Sequence, residues 1–288
     1  MDLAAAILLQ AVAGVATLLI VSLGLAVIFG MMRVINLAHG EFLMLGGYAT
    51  VLSVRAGASV WLGILVIAPA VVGAVGFVVE RLLIRHLYGR MVDTMLATWG
   101  LSLALIGGVT MLFGDSVSGF SAPFGSVPIG RFRISGYSLF LIAMAGVLVL
   151  GTWLVLRFTR AGLIARGTMQ NPDVAATLGV SPARVYAVTF TAGAALSGLA
   201  GGLIAPVSGV LPTMGTAYIA KAFITVITGG AAILAGTLSA SALLGTVSTV
   251  ATFLTTPVFG EVVLLIVAIV LLRLLPRGIT GRFLRRAL

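Results

Sequence analysis

The chain has 288 residues, 60% of them hydrophobic and only 8% charged, with 17 basic against 7 acidic side chains, 37 glycines, no cysteine and a net charge of +10. Charged residues make up about a quarter of an ordinary soluble domain, so this composition, with a mean hydropathy of +1.24, excludes a soluble globule. Spans of about 20 residues, each residue rising about 1.5 Å across about 30 Å of hydrocarbon, leave room for roughly eight to ten transmembrane or re-entrant helices and no soluble catalytic domain. The expected fold class is therefore an all-α integral membrane protein, a polytopic helical bundle forming one transmembrane domain over residues 1–288.

In chain order, apolar segments run from Leu3 to Gly30, Val34 to Val54, Ser59 to Val79, Thr94 to Phe113, Tyr137 to Leu156, Val185 to Ile204, Ile219 to Leu238, Ser241 to Thr255 and Val258 to Leu275. The first opens on Asp2 without a basic leader or a small-residue cleavage site, so it reads as a membrane span rather than a removed signal. Those starting at Val34, Ile219 and Ser241 are short or interrupted, which suits broken or re-entrant helices. Arginines cluster at Arg81, Arg85 and Arg90; at Arg157, Arg160, Arg166 and Arg184; and at Arg273, Arg277, Arg282, Arg285 and Arg286. Basic clusters between apolar spans mark cytoplasmic loops rather than a nucleic-acid surface. Even numbers of spans separate the clusters, which places the C-terminus in the cytoplasm and the N-terminus outside. The Gly114–Gly136 stretch, with Asp115, Arg131 and Arg133, suits an external loop or short hairpin.

Small residues recur every fourth position at Ala194, Gly198 and Gly202, and at Ser241, Gly245 and Thr249. Such ribbons let helix backbones approach, within one subunit or across a dimer. Gly229 and Gly230, followed by Gly236, read as a helix break. Polar side chains interrupt the apolar pattern in the run Arg33-Val34-Ile35-Asn36-Leu37-Ala38-His39-Gly40-Glu41. Each costs a few kcal/mol at membrane depth unless paired or wetted. On one continuous helix Arg33, Asn36 and Gly40 would share a face. Two readings stand: Asn36, His39 and Glu41 hold a broken helix in shape, or they touch a transported solute. Gln10 faces a passage or a neighbouring helix, and Lys221 and Glu261 read as snorkelling residues near span ends.

Catalytic chemistry finds no footing. Asp93 and Asp115 lie at opposite ends of one span, so no acid and base share a substrate. Two histidines without cysteine do not build a metal site. Lys221, the only lysine, follows Tyr218-Ile219-Ala220 rather than a glycine-rich loop, so the chain carries no ATP-binding loop of its own.

Residues 157–184 form a water-facing loop. Asn171, Pro172 and Asp173 read as an N-cap, a first-turn proline and an acid at the positive helix end. About two turns then run to Leu178 and stop at Gly179, and Ser181-Pro182 launches the next span. Val174, Ala175 and Leu178 share one side. This short helix is either a connection between spans or a coupling helix that fits a groove on a soluble motor subunit.

Several of these stretches match a known family. Arg33–Tyr48 (RVINLAHGEFLMLGGY), Glu80-Arg81 with Arg85, Ala97–Leu103 (ATWGLSL) and Arg160–Pro206 resemble the permease subunits of ABC importers for branched-chain amino acids, including the similar urea and short-chain amide permeases. Leu87-Tyr88-Gly89-Arg90 and Ala97-Thr98-Trp99-Gly100 are as similar to the urea branch as to the amino-acid branch. The resemblance implies a second homologous permease subunit, two ATP-binding cassette ATPase subunits carrying ATP and Mg, and a periplasmic substrate-binding protein, all at a bacterial inner membrane. It also implies coupling to the ATPase through Arg166, Asn171, Asp173, Val174, Ala175, Leu178 and Gly179; the family's Glu-Ala-Ala and glycine pattern is approximated by Asp173, Ala175, Ala176 and Gly179. A stand-alone secondary transporter or channel is the competing class, but it would usually repeat its polar run in a second half. With few fixed charges at depth, the expected cargo carries no net charge: an apolar amino acid ahead of urea or a small amide.

Overall fold

The computed structural model describes residues 2–129, 132–230 and 232–283. Arg131 of the expected external loop and Arg285 and Arg286 of the C-terminal basic cluster lie outside these. The chain is helical almost throughout. Helix α1 (Asp2–Met32) is followed by α2 (His39–Arg55), and then α3 (Val60–Leu62), a π-helical turn (Gly63–Ile67) and α4 (Ala68–Leu82) run on as one span. Next come α5 (Met91–Phe113), a hairpin of β1 (Ser126–Ile129) and β2 (Phe132–Ser135), and α6 (Gly136–Phe158). The loop helices α7 (Arg160–Gln170) and α8 (Pro172–Thr177) lead to α9 (Pro182–Ser208), α10 (Met214–Gly229), α11 (Ile233–Leu254), α12 (Pro257–Leu274) and the short α13 (Gly278–Phe283). Among the described residues, seven helices are long and apolar enough to cross a membrane. The 17-residue α2 and 16-residue α10 are the shorter pieces, in keeping with the expected mixture of full and broken spans.

Two expected boundaries move. The segment expected from Val34 is not helical at first: Arg33 adopts φ +52, and α2 starts only at His39. Arg33, Asn36 and Gly40 therefore do not share a helix face. The expected gap near residues 239–240 is absent, and α10 ends at Gly229 with α11 beginning at Ile233, at the break that Gly229 and Gly230 signalled. Thr237 and Ser239 lie within α11, their hydroxyls bonded back to the carbonyls of Ile233 (2.6 Å) and Gly236 (3.0 Å). Gly230 takes φ +85, open to glycine without strain. Thr280 of α13 closes the break: its hydroxyl donates to the Gly229 carbonyl (2.6 Å) and accepts from the Ala232 amide (3.2 Å).

The chain divides into two compact units. One comprises residues 23–120 and 150–220; the other comprises the residues up to 22, 121–149 and those from 221 onward. In the first, α9 packs on α2 and α4 at glycine contacts. A Cβ on Gly46 would overlap the Gly198 carbonyl, and one on Gly198 would reach Val72 Cβ at 2.6 Å. The Phe42, Val72, Phe190 and Ala194 side chains fill the space alongside. In the second unit, Gly245 of α11 lies against Val15 of α1, Gly14 lies against Thr249, and Leu18, Leu244 and Leu264 pack together. Both small-residue ribbons are thus used inside the subunit.

Candidate functional site

The segment 33–38 turns the chain between α1 and α2. The Asn36 side-chain oxygen accepts from the Ala38 amide at 3.0 Å, a local turn that competes with helix formation. The Leu37 amide donates to the Thr98 hydroxyl at 3.0 Å, tying the turn to α5. Thr98 gives its own proton to the Thr94 carbonyl at 2.8 Å. Because Thr98 is seven residues into α5, the turn lies about 10 Å in from that end of the helix at 1.5 Å per residue.

Asn36, His39 and Glu41 are all buried, at 0%, 0% and 1% exposure. His39 Nδ1 is 3.2 Å from the Ser197 hydroxyl, which donates its proton to the Gly193 carbonyl at 2.8 Å. A hydroxyl whose proton serves Gly193 can accept from a hydrogen on His39 Nδ1. Glu41 takes a hydrogen bond from Ser102, on the same face of α5 as Thr94 and Thr98. Glu41 Oε2 and Asn36 Nδ2 find no protein partner. A carboxylate so enclosed is costly unless protonated or met by a donor.

The backbone around the cluster is tightly held. A Cβ on Gly40 would overlap Gly215, at the start of α10, and one on Gly201 would overlap the Leu43 carbonyl. Gln10 does not belong to this cluster: it is exposed on the part of α1 that packs in the other unit. Sequence reasoning missed Thr98, Ser102 and Ser197. The spacing of Thr94, Thr98 and Ser102 by four on one helix face was the available signal.

The loop helix forms as the capping residues dictate. Asn171 Oδ1 accepts from the amides of Asp173 and Val174, both at 3.1 Å, and the turn closes through Gly179 at φ +84. Val174 and Leu178 are exposed, at 53% and 79%, and Asp173 is exposed as well. Ala175 differs from expectation. It is 7% exposed and packs inward, because a six-residue helix held between α7 and α9 presents one small residue to its own chain. Arg166, on α7, is half-buried with its Nε atom unpartnered. Ser181 takes the capping position of α9 without a side-chain hydrogen bond. The preceding helix α7, capped by Thr159 accepting from the Gly162 amide at 3.0 Å, was not legible as a separate element.

Lys221 and Glu261, expected near span ends, are brought together as an ion pair at 2.6 Å between α10 and α12, which the sequence did not signal.

A predominantly helical, multi-pass chain with a buried polar turn and a capped helix between spans has the build of a membrane transport subunit. The family described as "Branched-chain amino acid transport system / permease component" matches residues 7–275, and the chain belongs to that family. It is 26% identical to the high-affinity branched-chain amino acid transport system permease protein LivH of Escherichia coli K12, over 92% of each chain. A probable LivH permease of Methanocaldococcus jannaschii is 26% identical, over 92% of this chain and 88% of its own. The permease protein BraD of Pseudomonas aeruginosa is 29% identical over 92% of each. No solved structure matches the chain. The protein is therefore a multi-pass permease subunit of an ABC importer, a transport component rather than an enzyme, and it works with other components of such a system.

Proposed function

We propose that this chain lines the translocation pathway of an importer for branched-chain or related apolar amino acids. In this reading a second homologous permease completes the pathway, two ATPase subunits bind ATP and Mg and drive it, and a periplasmic binding protein delivers the solute. The observation that carries the reading is the match over residues 7–275 to a permease family whose relatives are named for branched-chain amino acid transport. The buried turn supports it: Asn36, His39 and Glu41 present hydrogen-bonding groups without a cluster of one charge sign, which suits a solute of no net charge.

Force from ATP hydrolysis enters through α8. Its exposed Val174 and Leu178, beside Asp173 and the Asn171 cap, form a compact apolar edge suited to a groove on an ATPase. The basic residues Arg157, Arg160, Arg166 and Arg184 around it support a cytoplasmic position for this loop at a bacterial inner membrane, with the N-terminus on the periplasmic side.

Proteoliposomes holding the complete complex test the reading by uptake of labelled leucine, competed separately with unlabelled leucine and with urea. Competition by leucine and not by urea is expected. Inhibition by urea alone would move the chain to the urea and amide branch. A dicarboxylate as the sole effective competitor would overturn the neutral-solute argument.

A further inference from the structure

Lys221, the only lysine of the chain, sits seven residues after Met214 and eight before Gly229 on α10. At 1.5 Å per residue its backbone is about 10 Å from either helix end. A lysine at such a position ordinarily stretches along the helix axis toward water. This one reaches sideways to Glu261, four residues into α12, with Nζ and Oε1 2.6 Å apart.

The pair is not enclosed by its own chain, since the lysine side chain is 27% exposed and the glutamate 57%. Helix α12 buries the stripe Gly260, Leu264 and Ala268, and Glu261 points away from that stripe among exposed Val258, Val262 and Leu265. Acyl chains would accept those neighbours but not the charges: in hydrocarbon the cost of stripping water from two ions can exceed the gain from their attraction. The face that carries the pair is therefore turned toward water or protein.

We propose that Lys221 and Glu261 face the solute route and form a transit site for a zwitterionic α-amino acid, Glu261 taking its ammonium and Lys221 its carboxylate. The ligand carries the same two charges as the site, so one ion pair becomes two when it arrives and one again when it leaves. The net charge at the site stays zero throughout, and no uncompensated ion is left in a poorly hydrated passage. A solute of net charge would break that balance. This assignment rests on the proposed amino-acid cargo and adds the groups that receive it.

The absence of cysteine makes the site directly addressable. Val258→Cys, one turn before Glu261 on the same exposed face, gives this subunit a single thiol with the ion pair intact, and the complete complex in proteoliposomes is treated with a negatively charged, membrane-impermeant methanethiosulfonate, with modification of this chain read by mass. Modification is expected, slowed at least tenfold when leucine-loaded binding protein and ATP are present. A thiol that stays unmodified would place the pair against lipid or the partner permease and overturn the proposal, as would modification that leucine does not slow. Reversing the pair with Lys221→Glu and Glu261→Lys keeps the ion pair but inverts its polarity. Less than a tenth of wild-type leucine uptake is expected, with ATPase assembly unchanged, whereas full uptake would reduce the pair to a structural contact. Wild-type uptake is read in the same vesicles: a wild-type complex that carries no amino acid overturns the cargo reading, while uptake with an unprotected thiol overturns only the site.

Discussion

A carboxylate kept from water depends on each donor it has. Glu80, 2% exposed at the end of α4, accepts the Tyr88 hydroxyl, while its Oε2 lies 3.9 Å from Arg81 Nε, too far for a hydrogen bond. Burial, and then the hydrogen bond to Glu80, push the Tyr88 hydroxyl above the usual phenol range, so the proton stays on tyrosine. The Tyr88 ring also meets Tyr186 of α9 edge-on at 5.0 Å. Tyr88→Phe should keep that packing, strip Glu80 of its donor and cost about 1–3 kcal/mol, seen as a lower melting temperature of the purified complex. Adding Glu80→Gln should return part of the loss, and equal melting of Tyr88→Phe and wild type would remove the hydrogen bond from the account. Asn36, His39 and Glu41 were legible in the sequence because amide, imidazole and carboxylate are rare in an apolar run. Thr98, Ser102 and Ser197 were not, because hydroxyls inside membrane helices routinely bond to the carbonyl one turn back, as Thr98 and Ser197 also do here. Only the fold shows that the same hydroxyls receive a second partner.

At the level of elements, α8 separates two effects that one helix face seemed to combine. Val174→Asp with Leu178→Asp places charge on the exposed edge, so it should abolish solute-stimulated ATP hydrolysis while melting stays near wild type. Stimulation that survives the double substitution would remove α8 as the docking element. Ala175→Asp should instead destabilise the subunit, because Ala175 is buried against its own chain. The caps of α8 could be read from Asn171-Pro172-Asp173 and Gly179, whose roles are local. The inward turn of Ala175 depends on α7 and α9, and no pattern within six residues reports that. The same distinction holds at the break after α10. Gly229 and Gly230 announced it, but its closure by Thr280, some fifty positions later, is a tertiary fact.

For the molecule as a whole, the positions of the arginines and the loop contacts agree on sidedness. Arg55 at the end of α2 donates to Ser118 at 3.2 Å, and Ser118 pairs with Val210 across an antiparallel bridge, so the loops after α2, α5 and α9 lie together. Two spans separate each successive pair of these loops, as a common side requires. Single cysteines at Gly57 and at Gly119 should therefore react with an impermeant thiol reagent on intact spheroplasts, and one at Asn171 only after lysis. Labelling of the Asn171 variant on intact spheroplasts would invert the orientation. The division into two units also has a consequence for biosynthesis. The face of α1 that carries Gly14, Val15 and Leu18 packs against residues of α11 and α12, so its partners follow residue 221. At about 5–20 residues per second, the ribosome needs about 10–40 s to supply the intervening 200 or so residues. Throughout that interval the first helix must remain in the bilayer with its small-residue face unoccupied, open to capture by another nascent helix, until the last quarter of the chain emerges to claim it.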